Sequence, residues 1–506
     1  MIAIVVRHFR PIFVSLALVT GGCGGGGPDV ANAAVGSSQV EPALSSPPVI
    51  ALGAPSADGT VRASLMATRA SGPAPLAVLF DASGTASSVA HPFHFLTYEF
   101  EFGDERGQTW PASGLSRNTQ RGGPVASHVF DEPGSYTVRV RARTSTGSVS
   151  EAAVRVEVIP QDVAFPGMKT LCVSASRNHE GCPAGAITST VLPSSYEGRR
   201  VLLRRGETFP QITIRHVDDN ALIGAYGTGS KPRVQRVSIS EGRPRIAGFF
   251  ADELVVMDLA IQGGISQTGS GARHLYYRND LISASSDVRV DFSGALQYWV
   301  ENSGLAPSSF YEVREVFVVE NLIEGVASTA GPLNLIQGSG SRLVIMGNDL
   351  ALAREHNVRL WAAHKSFIGH NILRGKSSDG NRHSLKLHSG GYRDYSDRRD
   401  MTMGKWASSQ VVVANNVFGD LADNNSWTVA LSPQNNLESE GLEDIVLEGN
   451  RFFRGDRTNT EAVIVGRRMT SRGNSRIDGR SPNINSAPTV NWATSSDWRG
   501  PYFFLP

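Results

Sequence analysis

Apolar residues along this chain come in short runs that alternate with polar ones, and a sustained 3.6-residue period is almost absent. That pattern predicts β-strands throughout. From about residue 310 the runs acquire a repeat: an apolar triplet, one or two variable residues, then asparagine. VFVVEN, LVIMGN, SFIGHN, VVVANN and IVLEGN end on Asn321, Asn348, Asn371, Asn416 and Asn450, spaced 27, 23, 45 and 34 residues apart. A recurrence of roughly 20–50 residues signals a solenoid, and the shorter spacings suit one rung per repeat. The 45-residue gap predicts either a rung with a long loop or two rungs. Asparagine tolerates left-handed backbone and hydrogen-bonds to its copies above and below, which accounts for one asparagine per turn. Aligned by inward residues, the strand before each triplet places Val290, Leu335, Leu360, Leu387 and Leu431 in one interior column. One outward column then reads Arg289, Asn334, Arg359, Lys386 and Ala430, and the next reads Asp291, Ile336, Trp361, His388 and Ser432.

Together with the glycine-punctuated stretch that begins near Thr170, the repeat resembles the right-handed parallel β-helix (pectate-lyase-like) superfamily. The resemblance implies a right-handed, single-stranded parallel β-helix over 168–506. Residues 60–160 differ. Pro75–Asp81, Tyr98–Asp104, Val125–Arg143 and Glu151–Val158 alternate between Gly, Pro and Ser turns, as in a β-sandwich. Phe100-Glu101-Phe102-Gly103-Asp104 and His128-Val129-Phe130 with Gly134-Ser135-Tyr136-Thr137-Val138 resemble the PKD family of immunoglobulin-like modules. That resemblance implies a spacer or a weak binding module, with His128 and Asp104 as core and turn residues. The expected fold class is all-β, an immunoglobulin-like β-sandwich followed by the β-helix.

The first 23 residues read as an address. Arg7, His8 and Arg10 precede a short apolar run, and Thr20-Gly21-Gly22-Cys23 forms a small-residue cleavage site. A cysteine after two glycines resembles the bacterial lipoprotein box, which implies lipidation of Cys23 and a membrane anchor at the outer membrane or cell surface. An ordinary secretory signal is the alternative. Residues 24–59, rich in Gly, Pro, Ser and Ala, read as a flexible tether. Of the three cysteines, Cys172 and Cys182 are placed for one disulfide in an oxidising compartment.

The formal net charge is only +1, yet 354–405 holds eleven Lys/Arg, five Asp/Glu and five of the twelve histidines. On the solenoid reading Arg359, Trp361, Lys386 and His388 share one outward patch. Stacked cations repel unless an anion lies on them, so the patch predicts an anionic polysaccharide as partner. Arg289, Tyr392 and Arg393 join it as substrate-binding candidates, the last two from a loop too long for a rung turn. Glycosidases need two carboxylates at the scissile bond, and the patch offers almost none. β-Elimination on a uronate needs a carboxylate neutraliser, a base and an acid, and Lys, Arg and His suit those roles. HKSFIGHN followed by LKLHSG resembles the K-S-x-x-N … L-T-L-R-H-G pattern of the alginate lyase and chondroitinase B family. The resemblance implies Lys365 as base, His388 in the acid (arginine) position, and often a calcium ion on the carboxylate. A non-catalytic glycan-binder or adhesin is the reading from another class. The localised patch lacks a nucleic-acid motif, so nucleic acid is not expected as a partner, and the chain is expected to act as a monomer.

Overall fold

The computed structural model describes residues 46–487 except 89–90, 216, 241–250, 269–270, 284, 293–312, 327–330, 377–382, 389–407, 420–428, 432–441 and 454–460. The signal segment, Cys23, Tyr392 and Arg393 lie outside the described residues. Two sheets form the sandwich. Val49–Pro55, Val61–Ala67, Leu76–Asp81 and Val125–Phe130 pair antiparallel in one. The other is ordered Ser71–Pro73, Val149–Ile159, Gly134–Arg143, Thr97–Glu101, Thr119–Gly122. Alternating inward residues such as Leu65, Phe80, Phe100, Val140 and Val156 fill the space between them. His128 is buried, stacked on Phe102 and 3.0 Å from Asp104, as a core residue rather than a surface acid–base group.

From Thr170–Val173 onward every described pairing is parallel, in three strands per rung. We call the three faces A, B and C in chain order. One full rung runs Leu385–His388 (A), Ser409–Ala414 (B) and Val417–Phe418 (C), and the next runs Val429–Leu431, Leu442–Glu448 and Arg451–Phe452. The 45-residue gap is therefore one rung with long loops, since Ile372–Lys376 pairs directly with Val417–Phe418. The interior is a continuous column of Val, Ile and Leu. Cys172, on the first strand, is disulfide-bonded to Cys182.

Asparagine marks the corner between faces B and C. Asn279, Asn321, Asn348, Asn371, Asn416, Asn450 and Asn474 form one ladder, each donating its backbone N–H and side-chain amide to the next Oδ1 at 2.9–3.2 Å. The left-handed residue is not the asparagine but the one before it, as at Arg278, Glu320, His370 and Asn415, or a glycine at Gly347 and Gly449. A second left-handed column opens face B: Glu253, Arg273, Glu315, Arg342, Lys365, Gln410, Asp444 and Arg468. Its charges mostly alternate, and neighbours pair along it, Arg342 with Glu315 at 3.3 Å and Arg468 with Asp444 at 2.7 Å.

The sandwich is seated on face B. Ala77, Leu79, Trp110, Val125 and Val129 pack against Tyr277, Phe317, Met346, Phe367, Val412 and Val446 in one apolar cluster. Both left-handed columns reach across to it. Arg69 meets Glu253 at 2.8 Å, Asp81 meets Lys365 at 2.7 Å, and Asp131 meets Arg278 at 2.9 Å. His370 stacks on Trp110 with centroids 5.0 Å apart, donates from Nε2 to Gln120 Oε1 and accepts from Ser113 Oγ at Nδ1. Burial pushes its pKa down to about 3, with Arg117 adding to the shift, so the ring stays neutral. A spacer joined only by a tether would make none of these contacts. Among the described residues the sandwich covers face B and not face A, and the strands of face C are short.

Candidate functional site on the open face

Face A is built by alternation. Val358, Leu360, Leu385 and Leu387 point inward and are fully buried, so Arg359, Trp361 and Lys386 take the outer side. Register sets the columns. Leu360 lies opposite Leu387, and Leu387 opposite Leu431, as the alignment expects. The earlier rungs differ: Val290 pairs with Ile336 rather than Leu335, and Gly338 rather than Leu335 faces Leu360. The column that carries Arg359 and Lys386 therefore reads Ser266, Asp291, Gln337, Arg359, Lys386, Ala430. The next outward column pairs Ser339 with Trp361 and Trp361 with His388.

Arg289 is thus removed from the binding set. It is fully buried and donates to the carbonyls of Ser283, Ser285 and Asp287 at 2.5–3.0 Å, folding the turn ahead of Val290–Phe292 around itself. Asp291 takes its place on the face, accepting from Gln337 Nε2 at 2.9 Å, and Asn334 in turn donates to Gln337 Oε1 at 2.8 Å. Trp361 is only 5% exposed, with the Arg359 guanidinium 5.0 Å from its ring centroid. Its ring positions the arginine, leaving little open platform for a sugar. Glu355 lies 3.6 Å from Arg359 and softens its charge without burying it, for the arginine side chain keeps 21% exposure.

Lys365 and the backbone of His388 lie on different faces, with Lys365 past the corner that follows Trp361. The strand His356–Gly369 turns from face A to face B at an irregularity after Trp361, opposite Ser339/Gly340. Lys365 lies beyond that turn, in the left-handed column, with Nζ 2.7 Å from Asp81 of the sandwich. Burial alone would raise the Asp81 carboxyl, but the Lys365 ammonium and the Ser83 hydrogen bonds hold it below the ordinary range. The backbone of His388 is in register with Trp361; its side chain lies outside the described residues. Of the other histidines in the basic stretch, His364 bonds to Ser409 Oγ at 2.9 Å, while His356 stacks on His383 at 5.5 Å. Burial, then His383 and Arg359, keep the His356 pKa well below its ordinary value. Among the described residues, no set of three His, Cys, Asp or Glu side chains with metal-ligand spacing lies on face A.

Among curated proteins no sequence relative is found. Three solved structures share the general trace at low similarity. The Streptococcus pneumoniae surface protein and adhesin PfbA is 11% identical, with 57% of this chain and 91% of that one covered at a TM-score of 0.31. The GH136 lacto-N-biosidase from Eubacterium ramulus is 12% identical, covering 63% and 67% at 0.30. The Yersinia enterocolitica family 28 exopolygalacturonase is 10% identical, covering 82% and 78% at 0.31. Residues 63–158 match the PKD domain, and the described residues from Thr170 onward form a parallel β-helix with that domain seated on one of its faces.

Proposed function

We propose that this is an exported carbohydrate-active protein that holds an anionic, uronate-containing polysaccharide along face A and cleaves it by β-elimination. One observation carries the binding: Arg359 and Lys386 stand in register on consecutive rungs of face A, about 4.8 Å apart. Two cations side by side on one sheet face suit an anionic group lying across both. Asp291 and Gln337 continue the column as acceptor and neutral neighbours.

For cleavage, Arg359 and Lys386 would neutralise the carboxylate, lowering the cost of removing the proton beside it. His388, whose backbone is in register with Trp361 on the next rung, would take that proton and return it to the departing glycosidic oxygen as the C4–O bond breaks and the C4–C5 double bond forms. Lys365 is held by Asp81 and does not share the face. That same ion pair favours a second reading, a non-catalytic glycan-binding surface protein. Incubation with a panel of alginates, pectins and glycosaminoglycans separates the two. Ultraviolet absorbance from unsaturated uronate ends, lost in His388→Ala, supports the lyase. Retention on an immobilised polyuronate without new absorbance leaves binding and removes cleavage.

Export and anchoring belong to the same reading. Cys23 would carry the lipid, so Cys23→Ser should move the protein from the detergent phase to the aqueous phase. A wild-type protein that stays aqueous would leave only the secretory alternative.

A further inference from the structure

Where the sandwich meets the last rungs, one cluster plays no part in face A. His91 precedes and His94 lies within a single helical turn, Pro92–Phe95, three residues apart, and their ring centroids are 5.2 Å apart. Asp444 faces them from the left-handed column of face B. His94 Nε2 lies 2.9 Å from Asp444 Oδ1, and Nδ1 lies 2.7 Å from Thr470 Oγ1. Arg468 donates to the same carboxylate, Nε to Oδ1 at 2.7 Å and Nη2 to Oδ2 at 3.0 Å. One ligand atom from each of His91, His94 and Asp444 lies within 4.8 Å of the others.

We propose that His91, His94 and Asp444 bind a zinc-type divalent transition metal ion that clips the PKD domain to the β-helix. Two imidazoles and one carboxylate suit zinc, whereas calcium takes about 6–8 oxygens. Tetrahedral bonds of about 2.0–2.2 Å put neighbouring ligand atoms roughly 3.3 Å apart. His94 and Asp444 need to part by only a few tenths of an ångström from their 2.9 Å contact. His91 is exposed and its ring can swing in from solvent, leaving a fourth position for water.

The outer partners are already in place. Thr470 fixes His94, and Arg468 orients the carboxylate, the supports that metal ligands ordinarily have. Before binding, His94 donates from Nε2 to Asp444. On binding, Nε2 takes the metal and Nδ1–H donates to the Thr470 hydroxyl oxygen.

The experiment uses the full chain freed of metal by a chelator and titrated with Zn2+ in a calorimeter. The wild type should bind one ion per chain, with a rise in unfolding temperature. His91→Ala should weaken binding by more than the roughly 10–100-fold that loss of an outer partner costs. It should not change the stability of the metal-free protein, because His91 is exposed. Equal affinity in both proteins, or no binding to the wild type, overturns the proposal. Co2+ gives an independent readout: the intense visible bands of a tetrahedral complex are expected, and the weak bands of an octahedral one would contradict the site.

Discussion

Lys365→Met separates a structural lysine from a catalytic one. The Lys365 ammonium sits 2.7 Å from Asp81, whose side chain is 4% exposed, while the lysine side chain is 29% exposed. Methionine keeps the length of the stem and removes the charge, so Asp81 remains buried between the sandwich and face B with only Ser83 to donate to it. Breaking a buried pair from one side costs about 3–5 kcal/mol. The partial exposure of the lysine argues for the lower end, about 3 kcal/mol, near a 150-fold change in the folding equilibrium. Adding Asp81→Asn should recover much of the loss, because the buried charge is then gone. The assay is equilibrium unfolding in urea of wild type, both single variants and the double, with glycan binding followed alongside. Binding on face A should survive in every variant that stays folded. A Lys365→Met protein within about 1 kcal/mol of wild type that loses some 10²–10⁴-fold in turnover would refute this reasoning and return Lys365 to the role of base.

Three further outcomes follow from the same structure. Asn371→Ala leaves the amide donors of Asn348 and the carbonyl of Ile345 without partners inside the ladder, which should cost about 3 kcal/mol or more in urea unfolding; less than 1 kcal/mol would mean the ladder is replaceable. Burial first, then Asp219 and Glu253, push the Asp252 carboxyl up to about 6, so the folded state holds its proton longer than the unfolded state and stability falls as pH rises from about 4 to 6. Asp252→Asn should remove that slope and raise stability at pH 7 by on the order of 2 kcal/mol, and a variant no more stable than wild type contradicts it. His370 is neutral down to about pH 3 when docked, so the seated domain should loosen as pH falls below the ordinary histidine range, near 6.5. Amide exchange of the Trp110 segment, compared between pH 7 and 5, reads this directly, and equal protection at both would refute it.

Much of the β-helix is legible in the chain because its signals are local. Each asparagine follows its own apolar triplet, and the alternation in Val358–Trp361 and Leu385–His388 fixes which residues face out. Register failed at Val290 and Leu335 because the segment 334–341 carries Gly338, Gly340 and an irregularity, so inward residues there are not marked by size. Arg289 misled for a related reason, since a buried arginine satisfied by three loop carbonyls reads in sequence like an exposed one. The charged left-handed column had a usable signal. Glu315, Arg342, Lys365, Gln410 and Asp444 each stand six residues ahead of a ladder asparagine. Seating of the PKD domain had none, because Trp110 and His370 or Asp81 and Lys365 meet only through tertiary contact more than 250 residues apart.

Face A, through Arg359 and Lys386, is where we propose that an anionic glycan binds. The most direct test is the affinity of wild type and of Arg359→Ala/Lys386→Ala for polyuronate oligosaccharides across a salt series, with folding checked by unfolding temperature. Exposed charges are screened over about 8–10 Å near physiological ionic strength. Wild-type affinity should therefore fall as salt rises, and the double variant should bind at least about tenfold more weakly with a flatter salt dependence. A folded double variant with wild-type affinity and the same salt slope would place the glycan site elsewhere.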